Sequence, residues 1–133
     1  LRVEVTGLDA ALQNLLRLNI DESLETKALT KAGKITQEAV IAEANFGSRS
    51  KGTMKKNIKL KRPKDGEVVI HSGGAYHAHL IEFGRSGGSK IGGGRKVTWG
   101  PTAPNPFFSR GFEASQEGAK LAMIDEIQKG LGL

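Results

Sequence analysis

The sequence predicts an α+β fold: a small antiparallel sheet of about three to four strands packed against two longer helices, plus a short N-terminal helix. Two observations carry this. Apolar residues recur at spacings of three and four along two long stretches, which marks helices with one buried face. Other short segments alternate apolar and polar residues between Gly and Pro turn signals, which marks half-buried strands. The 133 residues suit one domain, residues 1–133, with a flexible glycine-rich loop at 84–96.

At the N-terminus, Val3 and Val5 alternate with Arg2 and Glu4 in a short strand, and no signal-peptide pattern is present. The sequence starts without Met, so a natural start further upstream is expected. Asp9 is placed to cap a short helix carrying Leu8, Leu12, Leu15 and Leu16. Asp21 or Ser23 caps a second helix. Its apolar stripe is Leu24, Ala28, Ala32, Ile35, Ala39, Ala42 and Phe46, widened by Leu29, Val40 and Ile41; Gly47 closes it after about six turns.

Ile58 and Leu60 then alternate with Lys59 and Lys61, a strand with one solvated face. Pro63-Lys64-Asp65-Gly66 is a turn signal. Val68, Val69 and Ile70 form the returning strand of a hairpin whose loop is expected to hold about four or five residues. Residues 75–84, AYHAHLIEFG, read as a short helical turn running into an extended end.

Residues 84–94 hold six glycines in eleven positions, beside Arg85, Lys90, Arg95 and Lys96. The backbone entropy of so many glycines opposes ordering without a partner, so a mobile loop is expected. Val97 and Trp99 form a final strand, and Pro101, Pro104 and Pro106 hold the chain extended. Asn105 and Pro106 fit the cap and first position of the last helix. Its stripe is Phe108, Phe112, Ser115, Ala119, Ala122 or Met123, Ile127 and Leu131.

Composition limits the chemistry. The chain has no cysteine, which excludes disulfides, Cys-based zinc sites and thiol catalysis. No apolar run approaches membrane-spanning length. The net charge of +6 is unevenly placed: residues 49–104 hold 12 Lys/Arg and 3 Asp/Glu, whereas the rest holds 8 and 11. Such asymmetry fits contact with nucleic acid, with an acidic protein surface, or with no partner at all.

His71, His77 and His79 lie close in sequence, but no nearby Cys or paired carboxylate completes a metal-ligand set. Around Lys90 the glycine-rich stretch lacks the Gly-x-x-x-x-Gly-Lys-Ser/Thr spacing that converges backbone amides on phosphate. Neither metal nor cofactor is expected. Glu82 sits between Ile81 and Phe83; a carboxylate there needs a partner if buried, and Arg110 is the expected one. No catalytic constellation emerges, so the chain is expected not to be an enzyme.

Residues 49–64 hold 8 basic residues and no acid. They lack the interleaved aromatics that stack single-stranded bases, so a solvated strand face is the first reading and a positive surface bordering DNA the second. The candidate interaction residues are Arg49, Lys51, Lys55, Lys56, Lys59 and Lys61, together with Arg85, Lys90, Arg95 and Lys96 of the loop.

Three segments carry a resemblance. They are VEVTGLDAAL at 3–12, AYHAHLIEFG at 75–84 and APNPFFSRGFE at 103–113. In order and spacing the chain resembles the small tail-component family of lambda-like siphophages, whose members are called tail-completion, neck or head–tail joining proteins. The second segment is similar to the family's Tyr-Ala-x-x-Val-Glu-Phe-Gly, through Tyr76, Glu82, Phe83 and Gly84. The third is similar to its Pro-Phe helix start, through Pro106, Phe107, Phe108, Arg110 and Phe112. Residues 85–96 depart from the family in length and glycine content.

The resemblance implies a structural virion protein of a long-tailed phage or prophage, built in the bacterial host cytoplasm. It implies a ring, commonly a hexamer, at the head-proximal end of the tail, joining head to tail. Neck and tail-terminator roles share this shape. The implied partners are copies of itself, the tail tube protein, a head-closure or connector protein and, in passing, genomic DNA, with no membrane. The short hairpin at 58–70 would be an edge for sheet extension between subunits. Lys55, Lys56, Lys59, Lys61 and Lys64 would line the lumen or meet acidic partners. The alternative reading is a basic nucleic-acid-binding module; a nuclease using the histidines is a third.

Overall fold

The computed structural model describes residues 2–5, 21–44, 53–73 and 78–132. The short helix expected from Asp9, with Leu8 to Leu16, lies outside them, as do Phe46 and Gly47. The architecture is α+β, as expected. One sheet has three strands in the order β1-β3-β2, with β1 at Arg2–Val5, β2 at Lys59–Lys64 and β3 at Glu67–His71. A separate two-stranded sheet holds β4 (Gly88–Gly92) and β5 (Arg95–Trp99). The helices are α1 (Glu22–Glu43), α2 (Thr53–Asn57), α3 (Ala78–Phe83) and α4 (Phe107–Gly130).

All pairings are antiparallel. β3 takes the centre of its sheet because Val68, Val69 and Ile70 are β-branched and all buried. β2 is an edge strand, where Lys59 and Lys61 are exposed and Leu60 leans inward. The hairpin loop is shorter than the four or five residues expected. Pro63 and Lys64 belong to the strand, and only Asp65 and Gly66 turn, with φ of 53° and 75°. Two successive positive φ values match the right-handed twist of the flanking strands. Pro63 fits inside β2 because the register slips between Lys61 and Lys64, and a bulged edge strand needs no amide there.

α1 begins as expected at Asp21, whose carboxylate accepts the Leu24 amide at 2.7 Å. Glu22 and Glu25 in the first turn complement the helix dipole. The buried face, however, is turned from the expected stripe. It runs through Ala28, Leu29, Ala32, Gly33, Thr36 and Val40, while Ala42 is exposed and Ile35 and Ala39 are half-buried. Gly33 explains the phase. A Cβ there would sit 2.5 Å from Leu60 Cδ1 and 2.9 Å from Val68 Cγ2, so the helix approaches the sheet through its one bare position.

α1 and α4 run antiparallel along a seam of small residues. Gly111 meets the Val40 backbone, where a Cβ would lie 2.6 Å from Val40 Cα. Ser115 donates to the Thr36 hydroxyl at 3.1 Å, inside the core. Lys31 pairs with Glu126 at 3.1 Å further along.

The core divides in two, and Leu60 packs against both parts. One part gathers Val40, Met54, Ile58, Ile70, Phe107 and Phe108. The other gathers Leu29, Ala32, Val68, Ala119, Met123 and Ile127. Met54 and Ile58 reach the first part from α2 and the residue after it, a helix that the sequence pattern does not predict. Among the described residues no helix is long and apolar enough to cross a membrane.

Candidate functional site

Two of the segments singled out in the sequence meet in space. α3 is six residues long and buries Ala78 and Glu82, one turn apart. Gly84 ends it with φ of 72°, a left-handed cap. A Cβ on Gly84 would lie 2.5 Å from the Thr102 carbonyl oxygen, so the approach of the two segments also requires glycine. Arg85 and Thr102 exchange both backbone hydrogen bonds, at 3.0 and 2.8 Å. The Asn105 amide donates to the Ile81 carbonyl at 2.8 Å.

Glu82 joins the segments most firmly. It is 2% exposed, and its carboxylate accepts the backbone amides of Phe108 at 2.9 Å and Ser109 at 3.2 Å, and the Ser109 hydroxyl. α4 starts at Pro106, which offers no capping side chain. The first amides of a helix lack internal partners and carry the positive end of its dipole. A carboxylate from another helix therefore does the work of a cap. Arg110, expected to pair with Glu82, instead donates to Glu43 at 3.0 Å and to Asn105 Oδ1 at 2.8 Å. Asn105 is not the helix cap either. The backbone donors and the Ser109 hydroxyl take up Glu82, and the guanidinium stays at the surface.

Phe107 and Phe108 are fully buried, edge to face, with ring centroids 5.7 Å apart. Phe112 is half-buried. Phe83 is 68% exposed.

This clasp carries the second sheet. The loop expected at 84–96 is a β-hairpin, with Gly93 and Gly94 at φ of 58° and 77° in the turn and pairing from Gly88 with Trp99 to Gly92 with Arg95. The glycines that argued for mobility supply the backbone that a two-residue hairpin turn requires. At its base Trp99 lies on Gly88, and the Arg85 guanidinium stands 5.3 Å from the indole centroid. The indole Nε1 donates to the Ser86 carbonyl at 3.2 Å. From Ser89 to Thr98 every side chain is exposed.

The candidate basic residues fall into two groups on separate elements. Lys55, Lys56, Lys59 and Lys61 are exposed on α2 and β2; Lys90, Arg95 and Lys96 are exposed on the hairpin, with Arg85 at its base. Arg49, Lys51 and Tyr76 lie outside the described residues, as does His77. His71 Nδ1 accepts the Gly73 amide at 3.0 Å, and His79 is exposed. Among the described residues no three His, Asp or Glu side chains are grouped to hold a metal ion. The β2 edge, expected to extend the sheet onto a neighbour, carries lysines, a proline and a bulge, all of which discourage strand addition.

Compared with known families, the chain matches the one described as "Bacteriophage HK97-gp10, putative tail-component" over residues 7–84, more than half its length. No curated protein and no solved structure shows significant similarity to it. The matched region ends at Gly84, the cap at the centre of the clasp.

Proposed function

From the premise that this chain belongs to the HK97-gp10-like family of bacteriophage tail components, we propose that it is the tail-completion or neck subunit of a long-tailed phage. In this reading, copies form a ring, commonly of six, at the head-proximal end of the tail and join it to the head. Neighbouring parts would be the tail tube protein and a head-closure or connector protein. As a tail component it belongs to the virion.

The observation that supports the reading best is the clasped hairpin. A hydrogen-bonded base formed by Glu82, Gly84, Arg85 and Thr102 holds an exposed basic strand pair outside the core. That is the form of a docking element. The reading contains no catalytic step: the buried carboxylate of Glu82 is taken up by the amides of α4.

The test is a phage in which residues 89–98 are replaced by a short Gly-Ser link. The purified variant should keep its circular dichroism and melting profile, since the hairpin lies outside both core clusters. Electron micrographs of the lysate should show filled heads and tails unjoined. Normal infectious particles would overturn the reading.

A nucleic-acid-binding module is the second reading, favoured by the exposed Lys55, Lys56, Lys59 and Lys61. It requires DNA affinity that falls steeply with salt. Filter binding at two salt concentrations separates the readings, because a channel through which DNA slides must hold it weakly.

A further inference from the structure

We propose that the β4–β5 hairpin of one copy docks on the outward face of α4 of another copy, with Ile91 and Lys96 seated against Leu121 between Glu117 and Asp125. This rests on the tail-subunit reading and names the self-contact that reading needs.

The large apolar side chains exposed among the described residues include Ile91 at 81% and Leu121 at 61%. Each sits in a charged frame of opposite sign. Residues 85–99 hold four basic residues and no acid, whereas residues 113–129 hold four acidic and two basic residues, with Asp125 in an exposed pair with Lys129 at 3.0 Å that an incoming lysine would share. Ile91 pairs directly with Lys96 across the hairpin, so both side chains leave from the same face. On α4, Glu117, Leu121 and Asp125 follow at intervals of four and line one exposed face.

The spacings agree. Opposed Cβ atoms on a strand pair stand roughly 5 Å apart. Successive positions at intervals of four on a helix are about 6 Å apart along the axis. An apolar–cation pair can therefore cover an apolar–carboxylate pair at one contact. Within one chain the hairpin does not pack extensively on α4, so the match is not already used internally.

The two surfaces are different parts of the molecule, so the contact is heterologous. It leaves a hairpin unused at one end and a helix face at the other, and it propagates until the rotation closes a ring.

Because the chain lacks cysteine, introduced thiols report this contact without background. The double variant I91C/L121C, mildly oxidised as purified protein and within phage particles, should give a ladder of disulfide-linked multimers. Each single variant should stop at a dimer. Pairing Ile91→Cys with Lys27→Cys, on the exposed face of α1, should give no ladder. Lys96→Glu or Glu117→Lys, added singly to the double-cysteine variant, should cut the yield about fivefold, and the two together should restore it.

The absence of a ladder in both preparations overturns the proposal, as does a ladder indifferent to both charge reversals or crosslinking of residue 91 to another virion protein. Particles that retain the chain without a ladder overturn the docking and leave the tail-subunit reading standing. Particles that lack the chain overturn that reading, and the purified protein then decides the docking.

Discussion

Glu82 and Phe108, 26 residues apart in the chain, are joined by a 2.9 Å hydrogen bond from the Phe108 amide to the Glu82 carboxylate. The bond fastens α3 to the start of α4 and fixes the origin of the hairpin between them. Glu82→Ala leaves two helix-terminal amides without this partner and should destabilise the fold by about 2–3 kcal/mol. Glu82→Gln keeps one acceptor oxygen but turns an NH2 toward the remaining donors, so it should cost less, about 1–2 kcal/mol. Urea unfolding monitored by circular dichroism measures both; equal stability of wild type and Glu82→Ala would contradict the capping role.

Gly84 is constrained twice, by its left-handed φ and by the Thr102 carbonyl. Gly84→Ala should therefore destabilise by more than the roughly 1 kcal/mol of a left-handed alanine alone. The measurement is a thermal melt beside Gly132→Ala, which shares a positive φ of 73° but meets nothing within 4 Å. Gly84→Ala should lower the melting temperature more.

Two glycines of α4 should respond in opposite directions to alanine. At Gly111 the added methyl meets the Val40 backbone, and forcing the helices apart should cost about 1–3 kcal/mol. At Gly118 the nearest atom is Ile35 Cγ2 at 3.7 Å, an ordinary contact. There the gain in helix propensity should stabilise by about 0.5–1 kcal/mol. Chemical denaturation of the two variants checks the signs, and a destabilised Gly118→Ala would contradict this account of the seam.

Trp99 is the single tryptophan of the chain, so its emission reports the base of the hairpin. Arg85→Ala removes the guanidinium from the indole face and should increase acrylamide quenching. The global melt should move little, because neither residue belongs to a core cluster. Unchanged quenching would show that the pair does not order the hairpin.

Strand and helix positions were largely legible because they rest on local periodicity. Val3 and Val5, the Val68–Ile70 run and the Ser115–Ala119–Met123–Ile127 stripe all appear where the pattern puts them. What was illegible depends on contacts between distant segments. Gly33 and Thr36 carry no apolar signal, yet they set the phase of α1, because the sheet admits the helix only where a side chain is absent or small. Thr53–Asn57 is too short for periodicity to show. The partner of Glu82 is backbone, which has no sequence signature, and Asn105, which reads as the cap, hid the fact that the helix starts at Pro106 with no capping side chain. For the hairpin, the Gly-Gly signal between Lys90-Ile91 and Lys96-Val97 was present, but glycine content argued the other way.

The seam between α1 and α4 has a bearing on how the polypeptide is made. α4 supplies Phe107 and Phe108 to one part of the interior and Ala119, Met123 and Ile127 to the other. A nascent chain that has emerged only as far as the hairpin leaves both interiors uncovered, whatever its earlier helices and strands have done. Maturation should thus be a late, single event after α4 has emerged, and released truncated chains ending before residue 107 should be cut by protease far faster than released chains reaching residue 130.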